Sequence, residues 1–228
     1  MADHESWTAI RGLLSPRFTV YAMDRRGRGE TTAPQHRRIE DEFGDVATLL
    51  QVIGEPTFVL GHSYGAHCAM GGVALLPDLV SKLVLYEAPN PIRSTANLLE
   101  KLEDPASQQD WDRFVRTWLI DVIEIRAPVV DMLPATPFWP QMITDAAATL
   151  CDARALTLHD FDASRYAGLT MPVLLLLGSE SPRGNYLTDA LAAVLQDGRI
   201  VELPGQGHVA QAMAPQMFVD TVSNFLLA

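Results

Sequence analysis

Apolar positions along the chain alternate between two habits, short continuous runs and longer stretches at helical spacing. Residues 7–14 (W-T-A-I-R-G-L-L) read as a short amphipathic helix closed by Ser15-Pro16, and Phe18 to Met23 (F-T-V-Y-A-M) as a strand. Ile39, Phe43, Val46, Leu49, Leu50 and Ile53 keep helical period, which predicts a helix over 37–53, with Gly54 as its C-terminal cap. Thr57 to Leu60 is a buried strand and runs straight into Gly61-His62-Ser63-Tyr64-Gly65. Ala66, Ala69, Met70, Val73 and Ala74 then recur at helical spacing. Lys82 to Tyr86 and Val173 to Leu177 are further buried strands. A helix at about 185–196 and a strand at Arg199 to Leu203 follow. The last helix buries Met217, Phe218, Val222, Phe225 and Leu226. Strands alternating with helices predict an α/β fold with a mostly parallel sheet of about five strands and right-handed crossovers.

Residues 94–165 break this rhythm. They hold short helical patterns, are broken into pieces by Pro128, Pro134, Pro137 and Pro140, and concentrate large aromatics, Trp111, Phe114, Trp118, Phe138 and Trp139. The expected organisation is a core of 1–93 and 166–228 with a helical cap insertion at 94–165. Trp111, Trp118, Phe138 and Trp139 are candidates to line an acyl pocket, although packing between helices is the commoner role of such residues.

Composition narrows the partners. A formal charge of −11 argues against nucleic acid and anionic membrane surfaces, both of which need a basic face. Cys68 and Cys151 form neither a Cys-x-x-Cys pair nor a disulfide ladder. No apolar run reaches spanning length, and Met-Ala-Asp-His-Glu-Ser lacks the features of a signal peptide, so a cytoplasmic enzyme is expected. Oligomeric state is not written in the pattern, and a homo-oligomer is compatible with it.

Gly-x-Ser-x-Gly at a strand-to-helix corner is the arrangement of a nucleophile elbow, which makes Ser63 the candidate nucleophile. Gly61 and Gly65 are expected to lack side chains so that strand and helix can approach. A serine needs a base, and the base an orienting carboxylate. His208, in the glycine-flanked loop P-G-Q-G-H, is the candidate base. His62 is expected to point elsewhere, His67 to lie on the helix behind the corner, and His4, His36 and His159 lie in polar surroundings. Two carboxylates compete to hold the imidazole: Glu180, after the penultimate strand, is favoured over Glu87, at the end of the strand following the elbow.

With D-R-R-G-R-G-E at 24–30, G-H-S-Y-G at 61–65, L-V-L-Y-E-A-P at 83–89, L-L-L-L-G-S-E-S-P at 174–182 and L-P-G-Q-G-H at 203–208, the chain resembles the α/β-hydrolases over nearly its whole length. The similarity is greatest to cap-bearing serine esterases and lactonases. It implies cofactor-free hydrolysis of a small ester, lactone or similar acyl compound, with the Tyr64 backbone N–H as one oxyanion-hole donor. Asp24 and the arginine-glycine loop after it are structural on this view. The resemblance also implies strands before Phe18 and a His-Gly loop before Ser63, which this sequence does not contain. Two expectations follow from that difference: a start site upstream of Met1, or a catalytically weak or inactive homologue that binds a small molecule. Separately, a cofactor-free perhydrolase using the same residues is the alternative activity. Dehalogenases and epoxide hydrolases carry an aspartate where Ser63 stands.

Overall fold

The computed structural model describes residues 3–32, 38–91 and 96–228. In chain order the helices and strands are α1 (Thr8–Leu14), α2 (Ile39–Ile53), β1 (Thr57–His62), α3 (Tyr64–Leu75), β2 (Val80–Tyr86), α4 (Ala96–Ser107), α5 (Trp111–Thr117), α6 (Ala127–Val130), α7 (Trp139–Thr144), α8 (Ala146–Leu158), β3 (Val173–Gly178), α9 (Thr188–Ala192), β4 (Gly198–Leu203), α10 (Ala210–Met213) and α11 (Pro215–Leu227). Gly54, at φ 74°, donates to the Leu50 carbonyl at 3.0 Å and ends α2 as a left-handed cap. Arg37 and His36 lie outside the described residues.

β1–β4 form one parallel sheet in that spatial order, with Gly61 opposite Leu85, His62 opposite Tyr86 and Tyr86 opposite Leu176. Successive residues of a strand face opposite sides. Leu83, Leu85, Val173 and Leu175 therefore pack with Leu50, Met70 and Val73 from α2 and α3, while Val84, Tyr86, Leu174 and Leu176 pack with Phe218, Val222 and Leu226 from α11. Burial on both faces is what lets β3 read V-L-L-L-L with no polar alternation.

The sheet has four strands where about five were expected. Residues 18–23 carry no ladder among the described residues, because a strand exists only with a partner and the sole neighbour of β1 is β2. Phe18 still makes an edge-on ring contact with Phe58 of β1, centroids 6.0 Å apart. In α11 the apolar stripe runs through Phe218, Val219, Val222, Phe225 and Leu226, while Met217 is exposed. The helix expected at about 185–196 shortens to α9.

Contacts group the chain into two compact units. One comprises residues 4–23, 39–90 and 160–228, and so holds the whole sheet. The other comprises 1–3, 24–38 and 91–159, so the arginine-glycine loop groups with the helices of the expected insertion and not with the sheet. The cause is a buried ion pair. Arg28, 1% exposed, donates to Asp152 at 2.6 Å, to Thr149 at 3.1 Å and to the Asp145 carbonyl at 2.9 Å, and Arg25 meets Asp152 at 2.7 Å. A buried guanidinium demands such partners, and α8 supplies them. The aromatics of this unit mostly pack its own core. Trp139 donates to Asp112, Trp111 and Trp118 border the same cluster, and Phe138 is exposed.

Candidate active site

The site lies at the carboxyl ends of β1 and β2, inside the unit that holds the sheet. Gly61 is indispensable to the corner between β1 and α3. A Cβ there would stand 2.6 Å from Ala66 Cα and from the Gly65 carbonyl oxygen, and 2.7 Å from Ala69 Cβ. Gly65 is different, since a Cβ there would meet nothing within 4 Å. The expectation that both glycines are sterically required therefore holds for Gly61 alone. Gly61→Ala should lower the melting temperature markedly, an overpacking cost of about 1–3 kcal/mol, while Gly65→Ala should cost less than half as much. Thermal unfolding of the two variants checks this.

Ser63 sits at φ 54°, ψ −129°, a backbone conformation that side chains other than glycine rarely adopt. That kink aims its hydroxyl at the loop after β4. Ser63 Oγ is 3.1 Å from His208 Nε2, and His208 Nδ1 is 2.6 Å from Glu87 Oε2. Nδ1 therefore donates to the carboxylate and leaves the Nε2 lone pair to accept from the hydroxyl. The carboxylate at the imidazole is Glu87's, so the expectation of Glu180 is corrected. Glu180 is exposed, and its backbone N–H bonds to the Gln206 carbonyl at 2.9 Å. Glu87 itself stands at φ 49°, a second strand-end kink beside that of Ser63, and this turns its side chain back towards β3.

Glu87 is buried and held by several donors. The Gly178 N–H reaches Oε1 at 2.7 Å, the Ser181 hydroxyl adds to the hydrogen bond of His208, and the Tyr186 hydroxyl lies 3.4 Å from His208 Nδ1. Burial pushes its pKa up, but these hydrogen bonds, that of His208 first, outweigh burial and hold the carboxyl below its ordinary value. Tyr186 stacks on the imidazole at 5.8 Å, with the planes 13° apart. It is fixed there by the antiparallel bridge from Tyr186 to Pro89 and by the Leu187 N–H on the Ala88 carbonyl at 2.9 Å. Burial raises the Tyr186 phenol well above its usual pKa, so it stays a neutral donor.

His62 does not point away from the site. Its Nε2 donates to the His208 carbonyl at 2.8 Å, and the two rings are 4.6 Å apart. Burial, and then the neighbouring His208, hold its pKa well below the usual imidazole value, so it is neutral. His67 is buried behind the corner and bonds to the Pro89 carbonyl at 2.7 Å. Tyr64 opens α3, which puts its N–H in the helix's first turn beside Ser63. Its hydroxyl donates to Glu42 at 3.2 Å. Cys68 is buried, and its thiol donates to Glu42 Oε2 at 3.6 Å.

A hydroxyl, an imidazole and a buried carboxylate in line can remove a proton from the hydroxyl as it attacks an electrophile. Among the described residues no group of three His, Cys, Asp or Glu is placed to hold a metal ion. None of their helices is long and apolar enough to cross a membrane.

Residues 2–221 match the Alpha/beta hydrolase family. The chain belongs to that family. Within it, the chain is 29% identical over 231 residues to a 2-(acetamidomethylene)succinate hydrolase of Mesorhizobium japonicum, covering 93% of this chain and 80% of that protein. An alpha/beta hydrolase from Sphaerobacter thermophilus superposes with a TM-score of 0.83 at 24% identity, over 99% of this chain and 88% of the other. A thermophilic esterase from Thermogutta terrifontis gives a TM-score of 0.74 at 21% identity, over 98% and 85%. This α/β-hydrolase fold delivers strand-end side chains to one rim of the sheet, where Ser63, Glu87 and His208 gather. Tyr86, Ser181 and Tyr186 escape sequence inspection because their roles depend on register and on loop packing. The adjacency of Tyr86 to Glu87 at a strand end was the one available signal.

Proposed function

We propose that this chain is a serine hydrolase that cleaves a small carboxylic ester or lactone through an acyl-enzyme on Ser63. The observation that carries the proposal is the unbroken line from Ser63 Oγ through the imidazole of His208 to the carboxylate of Glu87, at 3.1 and 2.6 Å. Ser63 Oγ attacks the acyl carbon and its proton passes to His208 Nε2. The Tyr64 N–H, at the positive end of α3, faces the oxygen that becomes negative. Collapse breaks the acyl–oxygen bond and His208 returns the proton to the departing alcohol. Water then repeats the sequence on the acyl-enzyme, with His208 again as base, and releases the carboxylic acid. Glu87 stays ionised throughout and stabilises the imidazolium formed in each half-reaction. Every step uses side chains of this chain and no cofactor. The names of the Thermogutta and Mesorhizobium relatives, an esterase and a hydrolase, agree with this chemistry.

With p-nitrophenyl acetate, the folded protein should release a first phase of about one equivalent of p-nitrophenol per chain, followed by slower turnover. Ser63→Ala should show no first phase and only a small residual turnover. Undiminished turnover in Ser63→Ala would overturn the proposal. Absence of any reaction in a folded wild-type protein would also overturn it, and would leave a small-molecule binding protein on a hydrolase scaffold.

A further inference from the structure

β1 and β2 end in matching dipeptides, His62-Ser63 and Tyr86-Glu87. His62 and Tyr86 are register partners, and the Ser63 N–H continues the ladder to the Tyr86 carbonyl at 2.9 Å. Of the four non-glycine residues at positive φ among those described, two are Ser63 and Glu87, the second member of each pair. The kinks split each dipeptide between two tasks. Ser63 and Glu87 meet the two nitrogens of the His208 ring. His62 and Tyr86 stay in the strand direction, stack on each other with centroids 4.8 Å apart, and reach the backbone that carries His208.

Those backbone contacts bracket the residue. The Tyr86 hydroxyl donates to the Gly207 carbonyl and accepts from the Ala210 N–H at 3.1 Å. His62 Nε2 donates to the carbonyl of His208 itself, and Gln211 Nε2 lies 3.4 Å from His62 Nδ1. A neutral imidazole with its proton on Nε2 satisfies both contacts, and burial keeps His62 in that form. Tyr86 is fully buried, and its hydroxyl has a donor and an acceptor to satisfy in a loop otherwise rich in glycine. Gly205 and Gly207 leave that loop little side-chain packing of its own, so its position must be imposed from outside.

We propose that His62 and Tyr86 are positioning residues that fix the chain on either side of His208 and so hold its ring between Ser63 and Glu87. This rests on the serine hydrolase proposal, because a held imidazole matters only if that imidazole is the base. The effect is geometric. Misplacing a base by about 1 Å costs on the order of a hundredfold in rate, and Tyr86 and His62 prevent that drift while touching neither substrate nor the reacting atoms.

The test is a double-mutant cycle in the intact protein with p-nitrophenyl acetate. Tyr86→Phe keeps the ring and deletes the hydroxyl. It should lower kcat about ten- to hundredfold with KM within about twofold. In a His208→Ala background the same change should alter the residual rate by less than about twofold, since there is no longer a ring to hold. Equal losses in both backgrounds would mean a structural role only and would overturn the inference, as would no loss in either. His62 supplies an independent arm: His62→Leu should behave like Tyr86→Phe, and His62→Gln, which keeps a donor near Nε2, should recover most of the rate. Failure of Gln to rescue in a folded protein counts against the inference. If His208→Ala alone leaves turnover intact, the hydrolase proposal fails first, a result distinguishable from additive losses in a working enzyme.

Discussion

Glu87→Gln should lower kcat for p-nitrophenyl acetate by about ten-thousandfold, whereas Glu180→Gln should leave it within about twofold of wild type. The amide has nearly the shape of the carboxylate and can still accept from the Gly178 N–H, which reaches Oε1 at 2.7 Å. What changes is the atom facing His208. An amide nitrogen there is a donor, and it would push the imidazole proton from Nδ1 to Nε2. Nε2 would then present a proton, not a lone pair, to the Ser63 hydroxyl 3.1 Å away. Glu180 is exposed and has no such hold on the ring. Steady-state kinetics of the two amides decide between them, and a large loss confined to Glu180→Gln would refute the assignment. The same substitution carries a signature in stability. Glu87 has a depressed pKa in the folded chain, so its contribution is fully present above the ordinary carboxylate value and is lost as pH falls through the lower folded one. Melting temperature should therefore fall less between pH 6 and about pH 3 in Glu87→Gln than in wild type.

Ser63→Ala and His208→Ala should each reduce kcat by about 10⁵- to 10⁶-fold, and the double variant should be no slower than either single one. On the proposed mechanism the two side chains act on one proton. With the hydroxyl gone the imidazole has nothing to deprotonate, and with the imidazole gone the hydroxyl stays a weak nucleophile. What remains in both cases is whatever the N-terminal turn of α3 contributes to a developing oxyanion. Losses that multiply in the double variant would mean that the two groups serve separate steps, contrary to the 3.1 Å contact between them. Near-ultraviolet circular dichroism of each variant shows whether the fold is intact.

The parts of this fold that local pattern specifies were legible in the sequence. β1, β2, β3 and α3 follow from apolar runs and helical spacing, and the Gly-x-Ser-x-Gly corner marks Ser63 as the candidate nucleophile. His208, the candidate base because of its glycine-flanked loop after the last strand, stands with Nε2 3.1 Å from Ser63 Oγ. The misses share a physical cause, dependence on partners remote in sequence. Residues 18–23 have the composition of a strand, but a ladder needs a neighbour, and among the described residues none is paired with them. Glu87 and Glu180 both sit just past strands. What separates them is a backbone kink at φ 49° and a set of donors from Gly178, Ser181 and His208. Adjacency to the nucleophile made His62 look misdirected, although the register His62 to Tyr86 sets it against the loop it holds. Gly65 fits a sequence motif without being sterically required, because only Gly61 faces the helix backbone closely.

The central claim is that Ser63 becomes acylated, and a quenched-reaction mass measurement tests it most directly. Protein mixed with p-nitrophenyl acetate is quenched in acid during the first phase, digested, and the peptides are weighed and fragmented. The account predicts one acetyl group, on the Ser63 hydroxyl, absent from His208→Ala at the same reaction time. An acetyl group on another side chain, or full turnover with no covalent acyl group on Ser63, would contradict it.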